Sequence, residues 1–393
     1  MKKRLLSAAL ALAMVLTMLP LSVFAASTPA AGTAADGAAA SYQAKNNANN
    51  EYDDAPGWFA QVKGPDGKVT GYEKITSGFI VNGKYYSTFP SNTAGTAPLS
   101  TTFTVVGNAG DANMQDATSV NVDVYGAGSS VAIKGAKLTS ITVNDSKYQS
   151  EVAAGQRGAD KLGSVTLDAL ASVGDRGVTL NLTNVKSNSA VILKGKNSTN
   201  GTPLANTITL TNATIGDVTM GADDCTNTAK NHVYASQRLT ANASNVAKAP
   251  GNKIGAITMV GSSGSQINLT DTKLTGAVSL TGVGTSLIAN GATTGTGDVT
   301  LIGSVDEKVT TGTAPSVTVN GHSLGAIKDS ADEKLTSNFT VTVNSAGTVS
   351  GIELKNANVT INGGKVSTTG TINVTTGSVK IQNGATVGAI TFG

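Results

Sequence analysis

The sequence predicts an all-β protein, most of it a parallel β-solenoid of about twenty-residue coils with a small aromatic-rich β cap module at the N-terminal end. Three observations carry that expectation. The segments Gly255-Ala256-Ile257-Thr258-Met259, Gly276-Ala277-Val278-Ser279-Leu280 and Gly297-Asp298-Val299-Thr300-Leu301 start 21 residues apart, twice in succession. Val, Ile and Leu alternate with Thr, Ser and Asn in short runs, the period of a strand with one buried face, and no helical period intervenes. Finally, the 393 residues include 46 glycines but 9 prolines and are 13% charged, which excludes a collagen and a coiled coil, while 39% hydrophobic residues are too many for a disordered chain.

The chain opens with a basic Lys2-Lys3-Arg4, an apolar run from Leu5 to Phe24 broken by Pro20, and Val23-Phe24-Ala25 before Ala26. Basic start, apolar centre and small residue at the cut are what a signal peptidase reads, so residues 1–25 are expected to be a secretory signal cleaved after Ala25. No other stretch is apolar enough to span a bilayer, so no transmembrane span is expected after signal removal. Removing the three basic residues of the signal from 28 leaves 25 against 25 acidic ones. A formal charge of zero with no basic stripe argues against nucleic acid as a partner. The single Cys225 forms no internal disulfide, which suits a bacterial surface protein, Gram-positive in type, better than a small disulfide-stapled secreted module.

Residues 26–50 consist mainly of Ala, Gly, Ser, Thr and Asn and are expected to form a flexible spacer. Residues 51–103 form the aromatic-rich module: ten of the sixteen aromatic residues lie between Tyr42 and Phe103, among them the only tryptophan, Trp58. Trp58–Lys63, Gly64-Pro65-Asp66-Gly67 and Lys68–Tyr72 spell one hairpin. Phe79–Val81, Asn82-Gly83 and Lys84–Tyr86 spell a second, because Asn-Gly supplies the positive φ angles of a type I′ turn.

From 104 to 393 the solenoid pattern takes over. Related units stand at Gly216-Asp217-Val218-Thr219-Met220 and Gly388-Ala389-Ile390-Thr391-Phe392. A second strand precedes the first in most units, at Ile208–Leu210, Ile267–Leu269, Val317–Val319 and Val379–Ile381, and Asn212, Asp271, Asn320 and Asn383 follow as corner residues. An immunoglobulin-type sandwich array also has short alternating strands, but its strands do not recur at a fixed step of this length and it favours a buried Trp that this region lacks. Four segments interrupt the period, about 144–162, 221–254, 304–316 and 328–338, and insertions of this kind become loops on the side of a solenoid, often the functional side.

Candidate chemistry is sparse. A nucleophilic triad needs a base, and the two histidines are His232 and His322. His322 follows Asn320-Gly321 and reads as a turn residue. His232 shares the longest insertion with Asp223, Asp224, Cys225, Tyr234 and Arg238, the best enzymatic candidate. No Cys or His pairs stand at zinc spacing, the Gly-Gly-x-Gly-x-Asp calcium repeat is absent, and no cofactor is implied. Lys328-Asp329-Ser330-Ala331-Asp332-Glu333-Lys334 groups three carboxylates, but flanking lysines favour a solvated loop.

On these Gly-Ala-Ile-Thr-Met units, the chain resembles the parallel β-helix superfamily, and in particular the β-helical regions of clostridial surface proteins that carry S-layer homology domains. The resemblance covers about residues 100–393 and implies fold more than function, because the superfamily holds both polysaccharide lyases or hydrolases and bacterial adhesins. No S-layer homology motif and no Leu-Pro-x-Thr-Gly signal is present. The expected function is therefore that of an exported, cell-surface structural or adhesive protein, non-enzymatic, with cell-wall or host glycans as partners through the aromatic module (Trp58, Tyr85, Tyr86) and the 221–254 loop (Asp223, Asp224, His232, Tyr234, Arg238). The alternative is a carbohydrate-active β-helix enzyme working through that loop. The last segment, Val387 to Gly393, reads as the middle of a coil, so end-to-end self-association or a continuing C-terminal region is expected there.

Overall fold

The computed structural model describes residues 33–44, 56–90, 100–114, 116–155, 163–168, 177–187, 189–193, 205–221, 236–242, 251–261, 264–304 and 310–393. The protein is all-β, with 59% strand and 2% helix and a large, mostly parallel sheet.

The N-terminal elements are β1 (Ala40–Gln43), β2 (Gly57–Lys63), β3 (Val69–Lys74), β4 (Gly78–Val81) and β5 (Lys84–Tyr86). Both predicted hairpins form. Strands β2 and β3 pair antiparallel, as do β4 and β5, and Asn82 and Gly83 take φ of 51° and 70° in the turn between the latter pair. Within the stretch expected to be a spacer, Ala40–Gln43 pairs antiparallel with β2. The longer strands β6 (Thr102–Asn113) and β7 (Ser119–Lys134) follow, then β8 (Ser140–Asn144) and one short helix, α1 (Tyr148–Ala153). The helix is an element the strand-only pattern did not foresee. It lies in the first predicted insertion, where Tyr148 is buried to 1% exposure and anchors it.

Strand β4 runs antiparallel to β6, and from β6 onward the paired strands are parallel. They form three ladders. The first begins with β6, β7 and β8 and continues through Thr179–Thr183, Asn206–Thr211, Gln237–Asn242, Gln266–Thr270, Ser286–Asn290, Ser316–Val319 and Phe339–Asn344. The second stacks Val191–Leu193, Val218–Met220, Ile257–Val260, Val278–Thr281 and Val299–Ile302. The third is narrow, with Asn252–Ile254, Thr272–Leu274 and Thr294–Gly295 preceded by single bridges joining Lys186, Thr214 and Lys253. Between residues 206 and 302 the chain visits first, third and second ladder in that order, again and again.

The cause lies in the alternation. Along the first-ladder strands every second residue, mostly aliphatic, is buried and the residues between, mostly polar, face outward, so that Ile208, Leu239, Ile267, Leu287, Val317 and Val341 stack in register inside. Each such side chain contributes roughly 1.5–3 kcal/mol by leaving water. Ile257, Val278 and Val299 do the same in the second ladder. The glycines that lead these strands are needed for close approach: a Cβ on Gly276 would stand 2.6 Å from the Ala256 nitrogen.

Corners behave as the sequence suggested at Asn212, Asp271 and Asn383, with φ of 50°, 50° and 58°, and also at Asn184, with φ of 56°. Asparagines stack along the first ladder. Asn290 Nδ2 donates to Asn268 Oδ1 at 3.1 Å, Asn320 to Asn290 at 2.7 Å, Asn344 to Asn320 at 2.7 Å and Asn362 to Asn344 at 3.0 Å.

Candidate functional site

Pairing of β1 with β2 sets Tyr42 opposite Trp58. The rings meet edge-on, 5.8 Å apart between centroids, and Tyr42 makes a second edge contact at 5.6 Å with Tyr125 of β7. Such pairs hold their geometry through ring quadrupoles. The other side of Tyr42 is held by the α1 region: its hydroxyl donates to Glu151 Oε1, and Lys147 Nζ lies 4.7 Å from the ring centroid.

Beside this cluster, β1, β2, the β4–β5 turn, β6 and β7 enclose a cleft of about 550 Å³. Its wall includes Tyr42, Trp58, Asn82, Thr102, Thr104 and Asp123. The rings of Tyr42 and Trp58, the hydroxyls of Thr102 and Thr104, the Asn82 amide and the Asp123 carboxylate thus belong to residues of one wall. That is the mixed lining of a small-molecule site, apolar surface for area and a few polar groups for orientation, and its chemistry suits a polyhydroxylated ligand. The Asp123 carboxylate is fixed by Ser146, which donates its backbone N–H and its hydroxyl, each at 2.7 Å. The Trp58 Nε1 is buried and has no hydrogen-bond partner among the described residues, a condition that costs about 1–3 kcal/mol.

Of the predicted ligand residues, Trp58 lines the cleft. Tyr85 and Tyr86 do not: Tyr85 packs against the small apolar cluster around Ile80 and Val106, and Tyr86 against the main core. The Tyr85 hydroxyl donates to the Ser77 carbonyl at 3.4 Å. Burial, followed by the carboxylates of Glu73 and Asp36, pushes its pKa above the ordinary phenol value.

Asp223, Asp224, His232 and Tyr234, with Cys225, lie outside the described residues. Arg238 requires a correction. It belongs to the strand Gln237–Asn242 and not to a loop, exposed between Thr207 and Gln266 in the first ladder. The segment 221–254 had hidden two strands because their alternation, Gln-Arg-Leu-Thr-Ala-Asn and Asn-Lys-Ile, holds few large aliphatic residues.

Two of the three carboxylates of the last insertion, Asp329 and Glu333, serve the chain itself. Glu333 accepts backbone N–H groups from Gly303, Ser304 and Leu335, and Asp329 accepts the Lys355 N–H at 2.9 Å. No group of three His, Cys, Asp or Glu side chains placed to hold a metal ion occurs among the described residues. His322 opens the strand His322–Asp329, where sequence suggested a turn, and pairs in register with Gly347. Sequence reasoning overlooked Tyr42 and Asp123. Tyr42 stands in a low-complexity stretch, and Asp123 reads as one more outward residue of an alternating strand.

Fold and cleft together define an all-β protein with parallel ladders and an aromatic-walled cleft at one hairpin module. Comparison with family models, curated proteins and solved structures gave no match.

Proposed function

We propose that this is an exported bacterial cell-surface protein, structural and adhesive, whose three ladders wind as a parallel β-solenoid and carry a glycan-binding cleft. The solenoid reading is supported by the fixed order in which the chain visits the ladders and by the 21-residue step between Gly255, Gly276 and Gly297. Export is supported by the signal-like residues 1–25. The single observation that carries adhesion is the cleft formed by Tyr42, Trp58 and Asp123. Aromatic side chains beside a fixed carboxylate and threonine hydroxyls match the alternating apolar and hydroxylated faces of a sugar ring.

The second-ladder edge at Ala389–Phe392 is the other contact surface in this reading. Ile390 and Phe392 are 38% and 62% exposed there, and in this reading a strand of a second copy pairs along it.

A glycan array probed with the full chain tests the reading. We expect binding to one or more glycans that Asp123→Ala abolishes while the circular dichroism spectrum stays unchanged. Absence of binding to wall and host glycans alike, or binding indifferent to Asp123→Ala and Trp58→Phe, sinks it.

A further inference from the structure

We propose that Lys253 and Lys273, with Lys186 in the same column, form a binding surface for a linear polyanion of polyol-phosphate type. The inference stands on the third ladder and is independent of the glycan cleft.

Lys253 and Lys273 are registered neighbours on parallel strands, about 4.8 Å apart. Both are exposed, while the residues flanking them, Asn252, Ile254, Thr272 and Leu274, are buried. Bridges through Thr214 place Lys186 two strands further along, and Thr294 continues the column beyond Lys273.

Like charges directly opposite each other destabilise a sheet, and the other lysines that follow face carboxylates instead. Lys134 reaches Asp111 at 2.9 Å and Asp168 at 3.3 Å, Lys137 reaches Asp116 at 2.5 Å, and Lys328 reaches Asp298 at 2.5 Å. Neither Lys253 nor Lys273 has such a partner among the described residues. Asp271, two residues before Lys273, accepts the Ala292 N–H at 2.6 Å, and Asp217 accepts the Ala256 N–H at 2.7 Å. Two uncompensated ammonium groups side by side attract an anion that touches both.

The residue types choose among anions. Lysine binds phosphate as a point charge that needs no bidentate geometry, and the column holds no arginine, whose fork would match carboxylate and phosphate alike. A single-stranded nucleic acid would need aromatic faces on which to stack its bases. The outward residues Lys186, Thr214, Lys253, Lys273 and Thr294 include none, but their threonines offer hydroxyls to a polyol.

The test is titration calorimetry of the full chain with poly(glycerol phosphate), polygalacturonate and oligo-dT over a series of salt concentrations. Poly(glycerol phosphate) is expected to bind most tightly, and more weakly as salt rises. Lys253→Ser/Lys273→Ser should bind it about tenfold less tightly, with a log–log salt slope shallower by about 1.4, roughly 0.7 for each phosphate that is no longer neutralised. Lys253→Arg/Lys273→Arg should retain most of the affinity, and an unchanged melting temperature shows that the serine variant folds. Equal affinity of the serine variant and the parent, no binding of poly(glycerol phosphate), or tighter binding of polygalacturonate or oligo-dT would each overturn the proposal.

Discussion

Lys328 and Asp298, 30 residues apart in sequence, meet across neighbouring strands with Nζ 2.5 Å from Oδ2, while Asp298 Oδ1 accepts the Ala326 N–H at 3.2 Å. The hydrogen bond from Lys328 holds the Asp298 carboxyl below its ordinary pKa, and the same bond holds Lys328 above its own.

These shifts set a pH window. A depressed carboxylate stabilises the fold above its unfolded pKa and loses that contribution as pH falls through the folded value. A raised lysine contributes below its unfolded pKa, and that contribution disappears as pH rises through its higher folded value. The pair therefore acts at neutral pH and fails at both extremes. Because both groups are largely exposed the effect is small: Asp298→Asn should lower the melting temperature by about 1 °C at pH 7. At pH 2.5 variant and parent should melt closer together, and an equal difference at both pH values would contradict the assignment.

Leu280 is fully buried between Met259 and Leu301 in the second ladder. Leu280→Ala should cost about 2–5 kcal/mol, read as a shift of the urea midpoint with little change in slope. A loss below about 1 kcal/mol would mean that the stack collapses around the gap.

Two glycines separate conformational strain from close approach. Gly377 has φ of 130° and a Cβ there would stand 1.9 Å from the Ala357 carbonyl oxygen, whereas Gly384 has φ of 71° and nothing within 4 Å. Gly384→Ala should cost about 1–2 kcal/mol from the left-handed backbone alone. Gly377→Ala should cost considerably more, since the neighbouring strand must shift; comparable thermal unfolding of the two variants would show that this strand yields easily.

Asn344 accepts an amide hydrogen from Asn362 at 3.0 Å and donates one to Asn320 at 2.7 Å. Asn344→Ala removes both links, at about 0.5–1.5 kcal/mol for each hydrogen bond. Hydrogen exchange should quicken at residues 340–343 and 358–361, and unchanged exchange there would show the stack to be energetically idle.

Tyr42→Phe keeps the ring against Trp58 and Tyr125 but deletes the hydroxyl that donates to Glu151. We expect a folded protein whose cleft binds its glycan several-fold more weakly, because the hydrogen bond to α1 that positions the ring is gone. Equal affinity would place Tyr42 among the purely apolar wall residues.

How far the sequence was readable depended on the length of each signal. Gly255, Gly276 and Gly297 announced their strands because several large aliphatic residues repeat beside each, and the register of Ile257 on Val278 and Val299 follows that spacing. Asn82-Gly83 announced its hairpin because few residues tolerate those backbone angles. The third ladder was invisible, since Lys186, Thr214 and Lys253 join through isolated bridges or strands of three residues, too short for alternation to register. The cleft was half visible. Trp58 stood out by rarity, while Asp123 and Tyr42 acquire their roles only through the pairing of distant strands.

The stacked asparagines have a direction. From Asn290 to Asn362 every amide hydrogen points to the residue earlier in the chain, so the side-chain dipoles add and do not cancel. The row is vectorial and runs on past Asn362, whose Oδ1 accepts from Gln382 Nε2 at 3.2 Å and from Asn383 Nδ2. A like row could extend it only head to tail, because two like extremities brought face to face would repel.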